Sequence, residues 1–336
     1  MKTYVIAEVG PNHNGNIDIA LKYVKKLSKI GCRAIKFQHG NPNSIFSNQS
    51  FFPKYQKKLS NNFDKPLSAA NKRILKNTDQ VKLFNECKNH NIDYLCSAFD
   101  LKSIKFLNEN THLKCFKIPS GEILSLDILD YIRRQDKPII LSTGMATDKE
   151  ISFSIDYLNH FKRKQITLLH CISSYPTKET DINLQRISVL KEKFNLNVGL
   201  SDHTSSTDIP AYSIYAGAKI IEKHVTFNKN DDGPDHRASL EIEEFKVMLD
   251  KIKKAEKIFG GVKRTFKASE VNVKNSSRKS ITATIDINKG QLIKKSMITF
   301  KRPGTGISPN FYKNILNKTV KQKIKKNDLI LWKYLK

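Results

Sequence analysis

The sequence predicts a closed (β/α)8 barrel of the TIM-barrel class, followed by a small β-rich domain. Three observations carry this. Eight short apolar runs recur between Tyr4 and Phe227, and longer amphipathic stretches separate most of them. After Gly260 and Gly261 that rhythm stops, and short β-like runs with turns replace it. Strand then helix, repeated eight times, reads as a closed parallel barrel, with an open doubly wound sheet as the alternative.

The first four strands are "YVIAEVG" from Tyr4, "AIKFQHG" from Ala34, "DYLCSAFD" from Asp93 and "CFKIPSGE" from Cys115. "PIILSTGM" from Pro138, "ITLLHCISSYP" from Ile166, "NVGLSDHT" from Asn197 and "IIEKHVTF" from Ile220 complete the set. Helices are expected at about 16–30, 79–91, 124–135, 147–162, 182–194, 206–217 and 241–259. In the first, Ala20, Val24 and Leu27 share one face at the helical period, with Lys26 on the other. The segment from about 40 to 77 is polar and spotted with aromatics. A long loop after a barrel strand reads as functional, here as a lid over the site. The expected domains are a barrel over 1–260, a linker over 261–276 and a small β-rich domain over 277–336.

Lys and Arg number 59 against 32 Asp and Glu, a formal net charge of +27 over 336 residues. The lysines are spread along the chain and not gathered in one arm, so the charge reads as a solvated surface that also gathers anionic substrates. A polyanion-binding protein is the remote alternative, and neither a nucleic-acid nor a membrane partner is expected. The five cysteines are odd in number and lack CxxC spacing, which argues against a disulfide framework and a zinc-thiolate site. Cys171, beside His170, has the look of a nucleophile, but Cys96, Cys115 and Cys171 lie in apolar runs that favour buried, inert thiols. No apolar run approaches a membrane span and the chain opens directly in a strand, so a soluble, cytoplasmic protein is expected.

Active-site residues of such barrels sit at the C-terminal ends of the strands. Those ends carry Glu8, Lys36 and Gln38, Ser97 and Asp100, Lys117 with Ser120 and Glu122, then Ser142 and Thr143. They continue with His170, Ser173, Ser174 and Tyr175, Ser201 to His203, and Glu222 to His224, with Asp235 and His236 in the next loop. Lys36 and Lys117 lie in apolar strands, where an ammonium needs an anionic partner: a bound anion, or a glutamate such as Glu122 or Glu222. Ser120, Ser142 and Ser201 offer hydroxyl donors around a phosphate or carboxylate. His203 and His224 end neighbouring strands and could share one divalent ion, or each could be a hydrogen-bonded core histidine. Glu8 would then be a buried acid beside that ion. A Schiff-base aldolase using Lys117 or Lys36 as nucleophile is the competing enzyme class.

The segments "IAEVGPNHNG", "KFQ", "KIPSGE", "LSTGM", "LLHC", "GLSDHT", "EKHVTF" and "GPDHRASLE" together resemble the sialic acid synthase family, which includes the legionaminic and pseudaminic acid synthases. The later "RKSITATIDINKGQLI" and "KRPGTGISP" resemble that family's antifreeze-like (SAF) domain. The resemblance runs along nearly the whole chain in the same order. It implies a metal-dependent condensation of phosphoenolpyruvate with an N-acetylated hexose, N-acetylmannosamine or a 2,4-diacetamido-trideoxyhexose, giving N-acetylneuraminate or legionaminate with release of phosphate by C–O cleavage. "GPDHRASLE" is closer to the sialic and legionaminic branches than to the pseudaminic one.

The resemblance implies the divalent ion, Mn, Co or Mg, on His203 and His224, and phosphoenolpyruvate on Lys36, Lys117, Ser120, Ser142, Ser173 and Ser201. Ser173 and Ser174 stand where relatives often carry Asn. Glu8 and Glu122 would act near the reacting carbons. Gln38, Tyr175, Asp235 and Arg302 would contact the sugar, with Asn12, His13 and Asn14 shaping that end of the cavity; His13 reads equally as a structural loop residue. Arg302 would arrive from the partner subunit of a domain-swapped homodimer.

Overall fold

The structure, a computed structural model, describes residues 2–53, 56, 65–158, 165–261 and 265–336. The chain divides into two compact units, Met1–Gly260 and Gly261–Lys336.

The first unit is the expected barrel. Strands β1 (Tyr4–Gly10), β2 (Ala34–His39), β3 (Asp93–Ala98), β4 (Phe116–Ile118), β5 (Ile139–Ser142), β6 (Ile166–Cys171), β7 (Asn197–Asp202) and β8 (Ile220–Thr226) each pair in parallel with the next. β8 returns to β1 and closes the ring, with Glu8 opposite His224 on one side and opposite Lys36 on the other. A two-residue strand, β9 (Leu240–Glu241), adds to β8 and was not foreseen.

Helices α1 (Ile17–Lys29), α2 (Pro42–Ile45), α3 (Pro66–Asn71), α4 (Asn77–Asn89), α5 (Leu101–Asn110), α6 (Leu126–Arg133), α7 (Asp148–Leu158), α8 (Gln185–Phe194), α9 (Ile209–Ser213) and α10 (Ile242–Phe259) surround it. Asn16 caps α1, accepting from the amides of Asp18 and Ile19, and Ala20, Tyr23, Val24 and Leu27 are buried against the strands. α5 fills a position where no helix was expected. Its signal was present: Asp100 caps it through Ser103, and Ile104 and Leu107 bury one face. The helix expected over 206–217 is only five residues long, with Pro210 in its first turn. Of the helix expected to reach 162, residues 159–162 lie outside the described residues, as do 54, 55 and 57–64 of the loop read as a lid.

The inward face alternates in layers, as the two-residue strand period requires. Ile6, Ala34, Leu95, Cys115, Ile140 and Leu169 form a dry lower layer. Two residues further along the same strands stand Glu8, Lys36, Ser97, Lys117, Ser142 and Cys171, all buried. The outward residues join the larger core under the helices. Each fully buried aliphatic side chain contributes about 1.5–3 kcal/mol, and it is this outer core that holds charged groups in the upper layer.

The second unit is β-rich, with β10 (Ser280–Ala283) antiparallel to β11 (Ile298–Lys301). It has its own core, including Ile281, Ile287, Ile293, Ile307, Ile315, Ile324 and Ile330. Helix α11 (Ala268–Ser277) occupies the end of the stretch expected as linker and runs one residue past it, and residues 262–264 of that stretch are outside the described residues.

Candidate active site

The upper layer is a buried charge cluster. Lys36 Nζ lies 2.9 Å from Glu8 Oε2, 3.7 Å from Glu222 Oε2 and 3.1 Å from Ser97 Oγ. Lys117 Nζ donates to Ser142 Oγ at 2.8 Å and lies 3.6 Å from Glu222 Oε1. Ser201 donates to that same Glu222 oxygen at 3.0 Å. So the lysines' partners are Glu8 and Glu222, and not Glu122.

Burial pushes the Lys117 ammonium below its ordinary range, against the pull of Glu222. For Lys36 burial also acts downward, but Glu222 and Glu8 outweigh it and the net direction is up. Glu8 is raised by burial, with Lys36 opposing and Glu222 adding. Burial likewise works to raise Glu222, but the two lysines and Ser201 bring it below its ordinary value. It is therefore the shared counter-ion of both lysines.

Gln38 donates to Glu8 Oε1 at 2.8 Å. Gly10 passes directly over this contact at φ +53; a Cβ there would sit 3.1 Å from Gln38 Nε2 and 3.2 Å from Glu8 Oε1. Both the tight approach and the left-handed backbone favour glycine here. At the other side of the mouth, Ser120 and Ser173 hydroxyls are 3.4 Å apart. A Cβ on Gly144 would lie within 2.7 Å of both, so the two serines close over bare backbone. The thiol of Cys171 accepts from Gly144 N, and burial pushes it up to about 11; all five cysteines are free and buried.

The two histidines converge at the rim. Their ring centroids are 5.5 Å apart, and Tyr175 packs on both, at 4.1 Å from His203 and 5.7 Å from His224. His203 Nδ1 donates to the Ile172 carbonyl at 2.7 Å, which fixes the tautomer and leaves Nε2 with its lone pair. His224 Nδ1 is buried without a hydrogen-bond partner among the described residues, with Asp235 Oδ2 3.7 Å away. Burial lowers both rings, His203 to about 4, so both stay neutral at ordinary pH. Burial, reinforced by Glu8, raises Asp235 to about 7. No three His, Cys, Asp or Glu side chains among the described residues form a ready-made ligand set. Two neutral imidazoles, the His224 ring with an unsatisfied Nδ1 and the His203 Nε2 contacted among the described residues only by Ser201 Oγ at 3.5 Å, nevertheless fit a divalent ion that would keep open positions for substrate and water.

Above Gln38 and Gly10 opens a cavity of about 580 Å³. Its walls include His13, Ile45, Phe46, Phe52, Phe99 and Arg73, many of them from the 40–77 loop. His13 lines it while its Nδ1 accepts the Gly15 amide at 3.0 Å, so it has both a loop-holding and a wall position. Asn12 does not face the cavity in the way expected. Its amide donates to the Val225 carbonyl and to Ser239, each at 2.9 Å, and so ties the β1 loop to β8. Asn14 adopts a left-handed conformation, φ 50, in that loop.

Glu122 stands apart from the cluster. Ser125 donates to it within its own turn, and burial raises it, with Asp127 and Asp100 among its charged neighbours. Arg302 is exposed on the second unit. Sequence reasoning named Glu222, beside Glu122, as a possible partner of the strand lysines, and the structure selects Glu222; it placed Ser97 at a strand end without giving it a role. The signal for Ser97 was its position, two residues beyond Leu95 on the inward face.

Residues 23–264 match the NeuB family and residues 278–336 the SAF domain. The N,N'-diacetyllegionaminic acid synthase of Campylobacter jejuni is 40% identical over 98% of this chain and 99% of its own. The pseudaminic acid synthase of the same organism is 32% identical, covering 98% and 95%. The solved structure of N-acetylneuraminic acid (sialic acid) synthetase from Leptospira borgpetersenii superposes with a TM-score of 0.70 at 29% identity, over 82% of this chain and 93% of that one. On the barrel, its ordered strand-end motifs and these matches, the chain belongs to the NeuB family and carries a C-terminal SAF domain.

Proposed function

We propose that this chain condenses phosphoenolpyruvate with the open-chain form of an N-acetylated hexose, a 2,4-diacetamido-trideoxyhexose, to give a legionaminate-type nonulosonic acid and phosphate. The observation that carries it is the pairing of two buried lysines with Glu8 and Glu222 beside two neutral histidines. An anionic three-carbon substrate needs the first, and an aldehyde acceptor held by a metal needs the second. The branch is supported by the 40% identity to the diacetyllegionaminate synthase and by the apolar part of the cavity wall, Ile45, Phe46, Phe52 and Phe99. Such a wall suits the deoxygenated end of the sugar better than a hydroxymethyl group.

Lys36 and Lys117 neutralise the phosphate and carboxylate of phosphoenolpyruvate, and Ser120, Ser142, Ser173 and Ser201 donate to them. NeuB-family synthases are generally metal-dependent; the ion, Mn, Co or Mg, would be held by His203 and His224 and would supply Lewis-acid polarisation of the sugar aldehyde. Carbon 3 of phosphoenolpyruvate bonds to the aldehyde carbon, whose oxygen takes a proton. Water adds to carbon 2, and the C–O bond to phosphate breaks, so the bridging oxygen leaves with phosphate. Glu8, raised by burial and held by Lys36 and Gln38, positions that water or accepts its proton, with Glu122 the second candidate. Gln38, Tyr175 and Asp235 contact the sugar. Arg302 reaches the N-acetyl group from a partner subunit in a swapped homodimer. The enzyme works in the cytoplasm; its free cysteines suit a reducing compartment.

The test is phosphate release from phosphoenolpyruvate with a panel of N-acetylmannosamine and 2,4-diacetamido-trideoxyhexoses. Preferred turnover of a diacetamido sugar is expected. Preference for N-acetylmannosamine would move the assignment to the sialic branch, and no release with any sugar would overturn the condensation itself.

A further inference from the structure

Behind the two histidines, on the outer face of the barrel wall, lies a buried ion pair that none of the chemistry above uses. Strand alternation points Glu222 and His224 into the lumen and Lys223, between them, outward. Lys223 is paired in register with Asp202, which directly precedes His203. Lys223 and Asp202 side chains are both 0% exposed, and Lys223 Nζ lies 2.6 Å from Asp202 Oδ2. The same ammonium donates to the Thr204 carbonyl at 2.5 Å and to Thr204 Oγ1 at 3.3 Å. Asp202 in turn accepts the Thr204 amide at 2.9 Å and its hydroxyl at 3.1 Å.

His203 is thus enclosed in a three-residue turn, Asp202 to Thr204, whose two ends are both bonded to one ammonium on the next strand. That strand continues directly into His224. A buried ion pair costs several kcal/mol per ion in desolvation and contributes little net stability compared with apolar side chains of similar size. Its geometry here does something an apolar pair would not: it fixes the backbones carrying both imidazoles to one another.

We propose that Lys223, acting with Asp202 and Thr204, is a positioning residue that sets the mutual placement of His203 and His224 for a divalent ion. This rests on the metal reading given above. Removing groups that orient metal ligands typically weakens affinity by about 10–100-fold. Lys223→Met leaves the Asp202 carboxylate buried and unpaired, so the double variant Lys223→Met/Asp202→Asn, which carries no charge there, is made alongside it.

Full-length protein is stripped of metal and titrated with Mn²⁺ by electron paramagnetic resonance, with thermal unfolding followed in parallel and His224→Ala as reference. Folded double variant is expected to bind Mn²⁺ at least about tenfold more weakly than wild type, with phosphoenolpyruvate affinity in the metal-free state unchanged. The same loss is expected in Lys223→Met wherever it folds. A double variant with a lowered melting temperature but wild-type Mn²⁺ affinity would show a purely structural pair and overturn the proposal. If instead wild type and His224→Ala bind Mn²⁺ equally, the histidine site itself is wrong, and the positioning role falls with it.

Discussion

Glu222 Oε1 lies 3.6 Å from Lys117 Nζ, deep in the barrel and on the same oxygen that Ser201 donates to. In the free protein this carboxylate balances the charge that an incoming phosphate or carboxylate would otherwise balance. Glu222→Gln leaves the shape intact but removes that counter-charge. Stability is expected to fall by about 3 kcal/mol, the scale for breaking a buried pair from one side. Saturating phosphoenolpyruvate should raise the urea midpoint of the variant more than that of wild type, because the ligand then replaces the missing anion. Equal ligand-induced shifts would show that the two anions do not exchange for one another.

The proposed condensation uses the lysines as charges and not as nucleophiles. Lys117→Met is expected to lower kcat/KM by about 10³-fold or more, and Lys117→Arg to recover little, since a planar guanidinium does not fit a point-charge site between Ser142 and Glu222. Borohydride added with either substrate should trap no adduct by mass spectrometry. A stable mass increase on Lys117 or Lys36 would favour the Schiff-base aldolase.

Chelation is the third test. EDTA should abolish phosphate release and Mn²⁺, Co²⁺ or Mg²⁺ should restore it, while His203→Gln and His224→Ala remain inactive at any metal concentration tested. Undiminished turnover by His224→Ala in chelator would remove the metal from the mechanism.

Stability should fall in mild acid. Burial holds the His13 ring down to about 4, whereas an unfolded histidine titrates near 6.5. Between those values the unfolded chain binds the extra proton, so stability is intact above pH ~6.5 and is lost as pH falls toward ~4. His13→Asn keeps an oxygen acceptor for the Gly15 amide without the titration. Its urea midpoint should decline less than that of wild type between pH 6.5 and 5, a difference of up to about 2 kcal/mol. Parallel declines would place the titrating group elsewhere.

Mixing tests the swapped dimer. Arg302→Ala should impair sugar use while leaving phosphoenolpyruvate binding nearly intact. Refolding it together with Glu8→Ala should regenerate activity, since one site of each mixed dimer would hold an intact barrel and an intact Arg302. No recovery, with sizing that shows a monomer, would remove the partner's contribution.

The eight strands were legible because each is a short apolar run ending in polar residues, and the period of two fixes which of them point inward. That is why Glu8, Lys36, Lys117 and Ser142 could be named together. Which glutamate the lysines meet across the lumen, Glu122 or Glu222, was left open by the sequence. β8 is not a neighbour of β4, so only closure of the ring brings Glu222 to Lys117 and leaves Glu122 in its own turn. Asn12 misled because an amide in a polar loop reads the same whether it faces a ligand or, as here, a carbonyl of another strand. The helix over Leu101–Asn110 was not expected although Asp100 caps it and Ile104 and Leu107 bury one face, because its ten residues span fewer than three turns of the helical period.

The dry layer of Ile6, Ala34, Leu95, Cys115, Ile140 and Leu169 has one more consequence. It makes the lumen a blind shaft: there is no way through, and the lysines lie at its foot while Gln38, His13 and the aromatic wall stand nearer the mouth. Traffic in such a shaft is a queue. On the proposed function, the anion that needs the lysines would have to enter before the sugar is seated, and a sugar arriving first would bar the way until it left.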